Sequence, residues 1–341
     1  MSNIPKTREA LCRLTGSPDQ LYGITRMTLE EGRGRGMAVY DLETGGGLRC
    51  TILADNGLDI GRLTYRGVPV SFLSKNGIVS PYAHHPFEEE FLHTFPGGML
   101  YTCGLLSTGP AGRDGGVWHP LHGRYHSIPA DQCTGAEENG CLKITGRVRE
   151  TQLFGHALEL RRVIEAPVGG SELRITDTLE NQTPEPIEYM ILYHMNFGYP
   201  FLSPALRLVL PDGTTTTPRD ENAAAGLGRE RTFCAPVDGA AEQVFFHKVP
   251  EEDGLGWVKA ENPDLGFGAE VCWRLDSLPV LAQWKCMRSG EYVLGIEPSN
   301  SYIMGRAAER KNGTIGRLAP FESRQMEIRL RFYPLCGLYT T

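Results

Sequence analysis

Leu142-Lys143-Ile144-Thr145-Gly146-Arg147-Val148-Arg149 alternates apolar and polar side chains, and the alternation returns in Leu158-Glu159-Leu160-Arg161-Arg162-Val163-Ile164 and Leu173-Arg174-Ile175-Thr176-Asp177-Thr178-Leu179. A period of two turns successive side chains to opposite faces, so these segments predict three half-buried antiparallel strands. The stretches Glu165–Gly170 and Asn181–Pro186, between and after the later strands, have turn composition, which predicts a meander.

The same grammar extends outward in both directions. Val39–Leu42 and Leu48–Leu53 flank the Gly45-Gly46-Gly47 turn and read as a hairpin. Leu265–Leu275, Val280–Lys285, Tyr292–Glu297 and the alternating Arg324–Phe332 are further strand candidates. Helical pattern is confined to Lys6–Leu14 and Pro86–His93. Gly (41) and Pro (23) punctuate the chain throughout, with no fixed-period repeat and no low-complexity tract. The expectation is an all-β protein, a large antiparallel β-sandwich with a few short helices, forming one domain over residues 1–341 with residues 1–35 as a lead-in.

Composition narrows the partners. Lys and Arg total 34 against 41 Asp and Glu, and a net charge of −7 offers no attraction to nucleic acid or anionic lipid. Met1–Leu14 carries scattered charges and no signal-like apolar run, and no stretch approaches the roughly 18 apolar residues of a membrane span. A cytoplasmic protein is expected. Its nine cysteines include no CxxC pair and lie mostly in apolar surroundings, so they are expected to be reduced, mostly buried thiols. They are too dispersed for a structural zinc site. Nothing fixes the oligomeric state, and a homodimer is allowed.

Three segments place proton-transferring groups where strands should bury apolar ones. Pro120-Leu121-His122-Gly123-Arg124-Tyr125-His126 follows a Gly- and Pro-rich loop. Ile187–Pro200 is a strand-like run ending in His194 and Asn196, which period two sets on one face. Tyr292–Asn300 delivers Glu297 immediately before a proline, and burying a carboxylate without partners is costly. Taken singly, each also suits a hydrogen-bonded structural residue or a turn cap.

In combination and order, these motifs resemble the aldose 1-epimerases of the galactose mutarotase-like superfamily, and in particular its branch of uncharacterised cytoplasmic, DUF4432-like proteins. The resemblance runs from about Leu48 to Phe332 and is thin over the first hundred residues. It implies a supersandwich fold and the interconversion of sugar anomers. It also implies that His122 in Leu121-His122-Gly123 binds the sugar, that His194 is the general acid and that Glu297 in Ile296-Glu297-Pro298 is the general base. Asn196 stands one position earlier than in the commoner family motif. Leu281-Ala282-Gln283-Trp284-Lys285 resembles the strand that carries sugar-contacting polar groups, making Gln283 and Lys285 substrate-binding candidates. The family's usual Asn-Arg pair is not visible, and Lys75 or Arg62 are the candidate replacements.

Anomer exchange needs one group to take the proton of the anomeric hydroxyl while another protonates the ring oxygen. An imidazole with an ordinary pKa of about 6.5 and a partly desolvated carboxylate suit those roles without a cofactor or metal. Arg124 beside His122 could hold hydroxyls, and Trp284, Trp118 or Phe197 could stack on the sugar, although core packing is the ordinary fate of an aromatic. Three other readings remain: a non-catalytic carbohydrate-binding protein, a metal-dependent isomerase or hydrolase using the histidines His84, His85, His93, His119, His122 and His126, and the same acid and base applied to a different sugar isomerisation such as epimerisation at a carbon.

Overall fold

Cys141–Thr151, Ala157–Pro167 and Glu172–Asn181 are consecutive antiparallel neighbours, and their register sets Ile144 beside Ile164 and Ile164 beside Ile175. Ser323–Pro334 pairs with the last of them and extends the ladder with Ile328. All four isoleucines are buried. β-Branched side chains in direct cross-strand contact suit a pleated, buried face, which is why the alternation locates this sheet. The computed structural model describes residues 4–5, 7–87 and 90–335.

The meander belongs to an eight-stranded sheet, in which Leu255–Asn262 and Phe267–Arg274 also pair. A seven-stranded sheet contains Thr215–Pro218, Gln243–Lys248, Val280–Arg288, Glu291–Ser299 and Ile187–Phe197 in that lateral order, then Gly316–Leu318, with Tyr101–Leu105 also paired to Ile187–Phe197. A five-stranded sheet is formed by the N-terminal strands, including the expected hairpin of Ala38–Glu43 and Leu48–Leu53. One hydrophobic cluster draws Ile52, Ile164 and Ile296 from these three sheets, so their inner faces share a core. Among the described residues the α-helices are Arg8–Leu14, Glu90–Thr94, Glu221–Ala224 and Arg306–Asn312. The architecture is the expected all-β antiparallel sandwich with few short helices.

Several boundaries differ from the sequence reading. Gly23–Thr28, assigned to the lead-in, is an edge strand paired with Ala38–Glu43. Leu255–Asn262 was not anticipated, because Val258 is its sole β-branched residue and the β signal is correspondingly weak. Arg8–Leu14 falls within the first expected helical segment and Glu90–Thr94 overlaps the second, ending one residue beyond it; Lys6, Glu88 and Glu89 lie outside the described residues. Of the eight described cysteines, all are free and four, Cys50, Cys103, Cys272 and Cys286, are buried. Cys336 lies outside the described residues. No helix among the described residues is long and apolar enough to cross a membrane.

The core also holds a buried charge network. The Arg162 guanidinium donates to both oxygens of Asp177 at 2.9 and 2.7 Å, to Asp59 at 2.8 Å and to the Thr102 hydroxyl at 2.9 Å. Tyr193 donates to Asp177 at 2.7 Å. A buried guanidinium is tolerable when its donors meet carboxylates in this forked geometry. Thr102 and Tyr193 come from adjacent strands of the seven-stranded sheet, so the network holds that sheet from its inner side.

Candidate active site

His194 lies inside Ile187–Phe197 rather than at a strand end. Ile191, Tyr193, Met195 and Phe197 enter the main core, whereas Leu192 joins a second apolar cluster on the other face with Tyr101, Val244 and Ala282. A strand covered on both faces shows a continuous apolar run instead of alternation, so its end cannot be placed by period.

Neighbouring strands complete the site by register. Leu192 pairs with Ser299 and Met195 with Ile296, which sets His194 directly across from Glu297. On the other side Glu297 pairs with Ala282, and Trp284 with Gly295. His194 Nε2 and Glu297 Oε1 are 3.1 Å apart. Both residues are buried, and Glu297 Oε1 and His194 Nδ1 have no aligned hydrogen-bond partner. Gly295 makes room for them: a Cβ there would lie 2.4 Å from Glu297 Oε1 and 3.2 Å from His194 Cε1.

His194 and Glu297 line a cavity of about 570 Å³ with His122, Arg219, Glu242 and Trp284, and Phe91 and Phe95 add apolar wall. The His122 ring centroid is 6.2 Å from that of His194, and Trp284 is 5.4 Å from His194 at 82°. Glu242 accepts from Trp284 Nε1 at 2.8 Å and from Arg219 Nη2 at 2.9 Å, while Arg219 Nε donates to Asp220 at 2.9 Å. The indole is thereby held by a carboxylate that is itself tethered. A cavity of this size, largely apolar with a few convergent polar groups, suits a small polar ligand with one apolar face.

Electrostatics separate the two central groups. Burial, reinforced by the Glu242 carboxylate and opposed by Arg219, raises the Glu297 carboxyl from 4.5 to about 8. Burial, reinforced by His122 and opposed by the Asn196 side chain, lowers the His194 imidazole from 6.5 to about 3. His122 is lowered to about 4, mainly by burial. Between those limits the His194–Glu297 pair carries one proton, shared across their 3.1 Å contact.

The other expected contacts disperse. Asn196 shares the His194 face, but it is fully buried and its amide donates to the carbonyls of Gly98 and His194 at 3.0 Å, behind the cavity wall. Gln283 and Lys285 fall on the reverse face of the Trp284 strand, because odd and even residues of a strand face opposite ways. Gln283 bridges His247 and the Glu230 carbonyl at 2.8 Å each. Arg124 precedes a one-turn helix and does not line the cavity. Lys75 is paired with Glu291, and Arg62 is exposed on Asp59–Tyr65; neither lines the cavity. Phe197 packs on Phe201 in the core and Trp118 lies against Phe87, so of the proposed stacking residues Trp284 alone reaches the cavity.

Sequence reasoning missed Arg219, Glu242 and Gly295. Arg219 follows a short edge strand and Glu242 precedes the next one, where charged residues are unremarkable. Gly295 carried a readable signal, since a glycine inside a strand marks close approach of other groups. The histidine cluster divides: His84 and His126 are in edge contact at 4.9 Å, and among the described residues no three His, Cys, Asp or Glu side chains converge as metal ligands.

Fold and site together define a galactose mutarotase-like β-sandwich with a histidine and a glutamate facing one another across adjacent strands. The chain belongs to the family described as a domain of unknown function, DUF4432, which it matches over residues 34–332. A candidate aldose 1-epimerase from Klebsiella pneumoniae superposes with a TM-score of 0.86 at 25% identity, covering 92% of this chain and 85% of that one. A galactose mutarotase-like protein from Clostridium acetobutylicum superposes at 0.66, with 15% identity and coverage of 93% and 100%. Galactose 1-epimerase from Lactobacillus acidophilus gives 0.62, with 12% identity and coverage of 92% and 99%. No curated protein matches the sequence.

Proposed function

We propose that the protein interconverts the anomers of a monosaccharide or close sugar derivative, with His194 and Glu297 passing one proton to and from the sugar. The observation that carries this reading is the 3.1 Å approach of His194 Nε2 to Glu297 Oε1 within a cavity, with the carboxylate oxygen lacking an aligned partner. Burying an unsatisfied carboxyl oxygen is costly, so such an arrangement suits a ligand that completes it.

Hydroxyls of a bound sugar supply hydrogen bonds to both groups and favour the tautomer in which the shared proton sits on His194. His194 then donates to the ring oxygen while Glu297 takes the proton of the anomeric hydroxyl. The C1–O5 bond breaks and an aldehyde forms at C1. Rotation about C1–C2 presents the other carbonyl face; reclosure returns the ring-oxygen proton to His194 and the Glu297 proton to the new anomeric hydroxyl. Each well-placed acid or base contributes roughly 10²–10⁴-fold, sufficient for a reaction that proceeds slowly in water unaided. The Trp284 indole, fixed through Glu242, stacks on the apolar sugar face, and His122 accepts or donates at a hydroxyl. A cytoplasmic setting fits the eight free thiols of the described residues.

Saturation-transfer NMR across a panel of aldoses, including acidic and deoxy sugars, tests the proposal. Anomer exchange faster than the uncatalysed rate for at least one sugar supports it. Saturable binding with exchange only at the uncatalysed rate replaces it with a carbohydrate-binding role.

A further inference from the structure

The Trp284 strand has a second wall. On the face opposite the His194–Glu297 site, Lys285 and Met287 border a separate, partly open cavity of about 470 Å³, lined also by Asn222, Arg229, Phe233 and Gln243. Lys285 is 7% exposed, and its ammonium donates to the Arg229 carbonyl at 2.7 Å and to the Thr232 carbonyl at 2.8 Å. An ammonium has three donors, so one remains. The ammonium also lies 5.5 Å from the centre of the Phe233 ring.

Charge is what sets this cavity apart. Its lining includes Lys285 and Arg229 and no Asp or Glu, in a chain whose acidic residues outnumber its basic ones by 41 to 34. Among the described residues neither cation forms an ion pair: Lys285 has carbonyls as partners, and Arg229 Nη2 donates to the Ala225 carbonyl at 2.9 Å. Cys234, which lines the cavity, and more weakly Glu230, which does not, act on the ammonium from a distance. A buried cation such as Lys285 usually meets a carboxylate, because neutral carbonyls offset only part of the lost hydration. Asn222 and Gln243 add polar side chains beside the cations, while Ala225, Val237, Ala240 and Phe233 supply an apolar wall.

We infer that this cavity is a second ligand site, distinct from the His194–Glu297 site, which takes a small organic oxyanion, a carboxylate or phosphate monoester with an apolar body. The anionic head sits between Lys285 and Arg229 and the apolar body against Phe233. Lys285 and Trp284 are adjacent on one strand and face opposite cavities, so an occupant of one site adjoins the backbone that shapes the other.

Isothermal titration calorimetry of the full chain at low salt, with benzoate, phenyl phosphate and inorganic phosphate as probes, tests the inference. Saturable binding of benzoate or phenyl phosphate is expected, tighter than that of inorganic phosphate, and the better of the two identifies the head group. Arg229→Gln, at an exposed position, is expected to weaken it at least about fivefold and Lys285→Met about tenfold or more, as loss of a charge-assisted contact requires. His194→Ala is expected to leave it unchanged, which separates this site from the proposed sugar site. The inference is overturned if neither organic anion binds saturably, if Arg229→Gln binds as the parent does, or if His194→Ala abolishes binding. Should Lys285→Met fail to fold, Arg229→Gln decides alone.

Discussion

Gly295 and Glu297 project from the same face of one strand, and the missing side chain of the first is the space occupied by the carboxylate of the second. A Cβ on Gly295 would stand 2.4 Å from Glu297 Oε1 and 2.9 Å from Trp284 Cβ. Gly295→Ala is therefore expected to fold and to displace the carboxyl, cutting the rate of anomer exchange by about 10²-fold, the order associated with an ångström-scale misplacement of a reacting group. NMR exchange rates together with circular dichroism check this; a variant with the parent rate would remove Gly295 from the site.

His194→Ala and Glu297→Gln each take away one half of the proton-sharing pair. Each is expected to slow exchange by at least about a hundredfold while preserving the fold. Parent-like exchange in either variant would sink the assignment.

The pH dependence follows from the single shared proton. Above about pH 8 Glu297 loses it while His194 is already neutral, so the pair has no acid and the rate falls as pH rises through that value. Glu242 raises Glu297 and Arg219 lowers it, so Glu242→Gln removes the raising charge and moves the alkaline limb to lower pH. A pH–rate profile of the two proteins reads this directly, and an unshifted or upshifted limb would contradict it.

Stability carries the opposite imprint from the two groups. Folded Glu297 keeps its proton up to about pH 8, whereas the unfolded carboxyl loses it near 4.5, so the folded state binds more protons between those values and stability falls as pH rises across them. His194 contributes the reverse: folded it stays neutral down to about pH 3, unfolded it takes a proton below about 6.5, and stability falls as pH drops through that window. Urea unfolding at two pH values is expected to show Glu297→Gln gaining stability relative to the parent at pH 9 compared with pH 4. A constant difference would refute the raised carboxyl.

The Arg162 network behind the sheet is fully buried, so removing one partner leaves charge uncompensated. Asp177→Asn is expected to cost about 3–5 kcal/mol and Tyr193→Phe about 1–2 kcal/mol in urea unfolding. Equal, negligible costs would mean the network contributes no structural hold on the His194 strand.

The sheet positions that the sequence made legible are those with one wet face. Ile144, Ile164, Ile175 and Ile328 announce themselves because polar neighbours alternate with them, and they do meet across strands. The His194 strand and Leu255–Asn262 were harder: the first is buried on both faces and loses its period, and the second is poor in β-branched residues. Gln283 and Lys285 show the cost of reading a segment without its facing. A one-residue step places Trp284 in one cavity and Lys285 in another.

By itself, then, the sequence determined the antiparallel β architecture, through side-chain alternation and turn chemistry, both of which are local. Motif order singled out His194 and Glu297. Tertiary structure decided that these two meet, since the 102 intervening residues are closed only by the pairing of their strands. It also decided the company they keep, because Arg219, Glu242 and Gly295 acquire their roles through register and burial. Proton placement was likewise beyond the sequence: it depends on lost hydration and neighbouring charge, which exist only once the chain has folded.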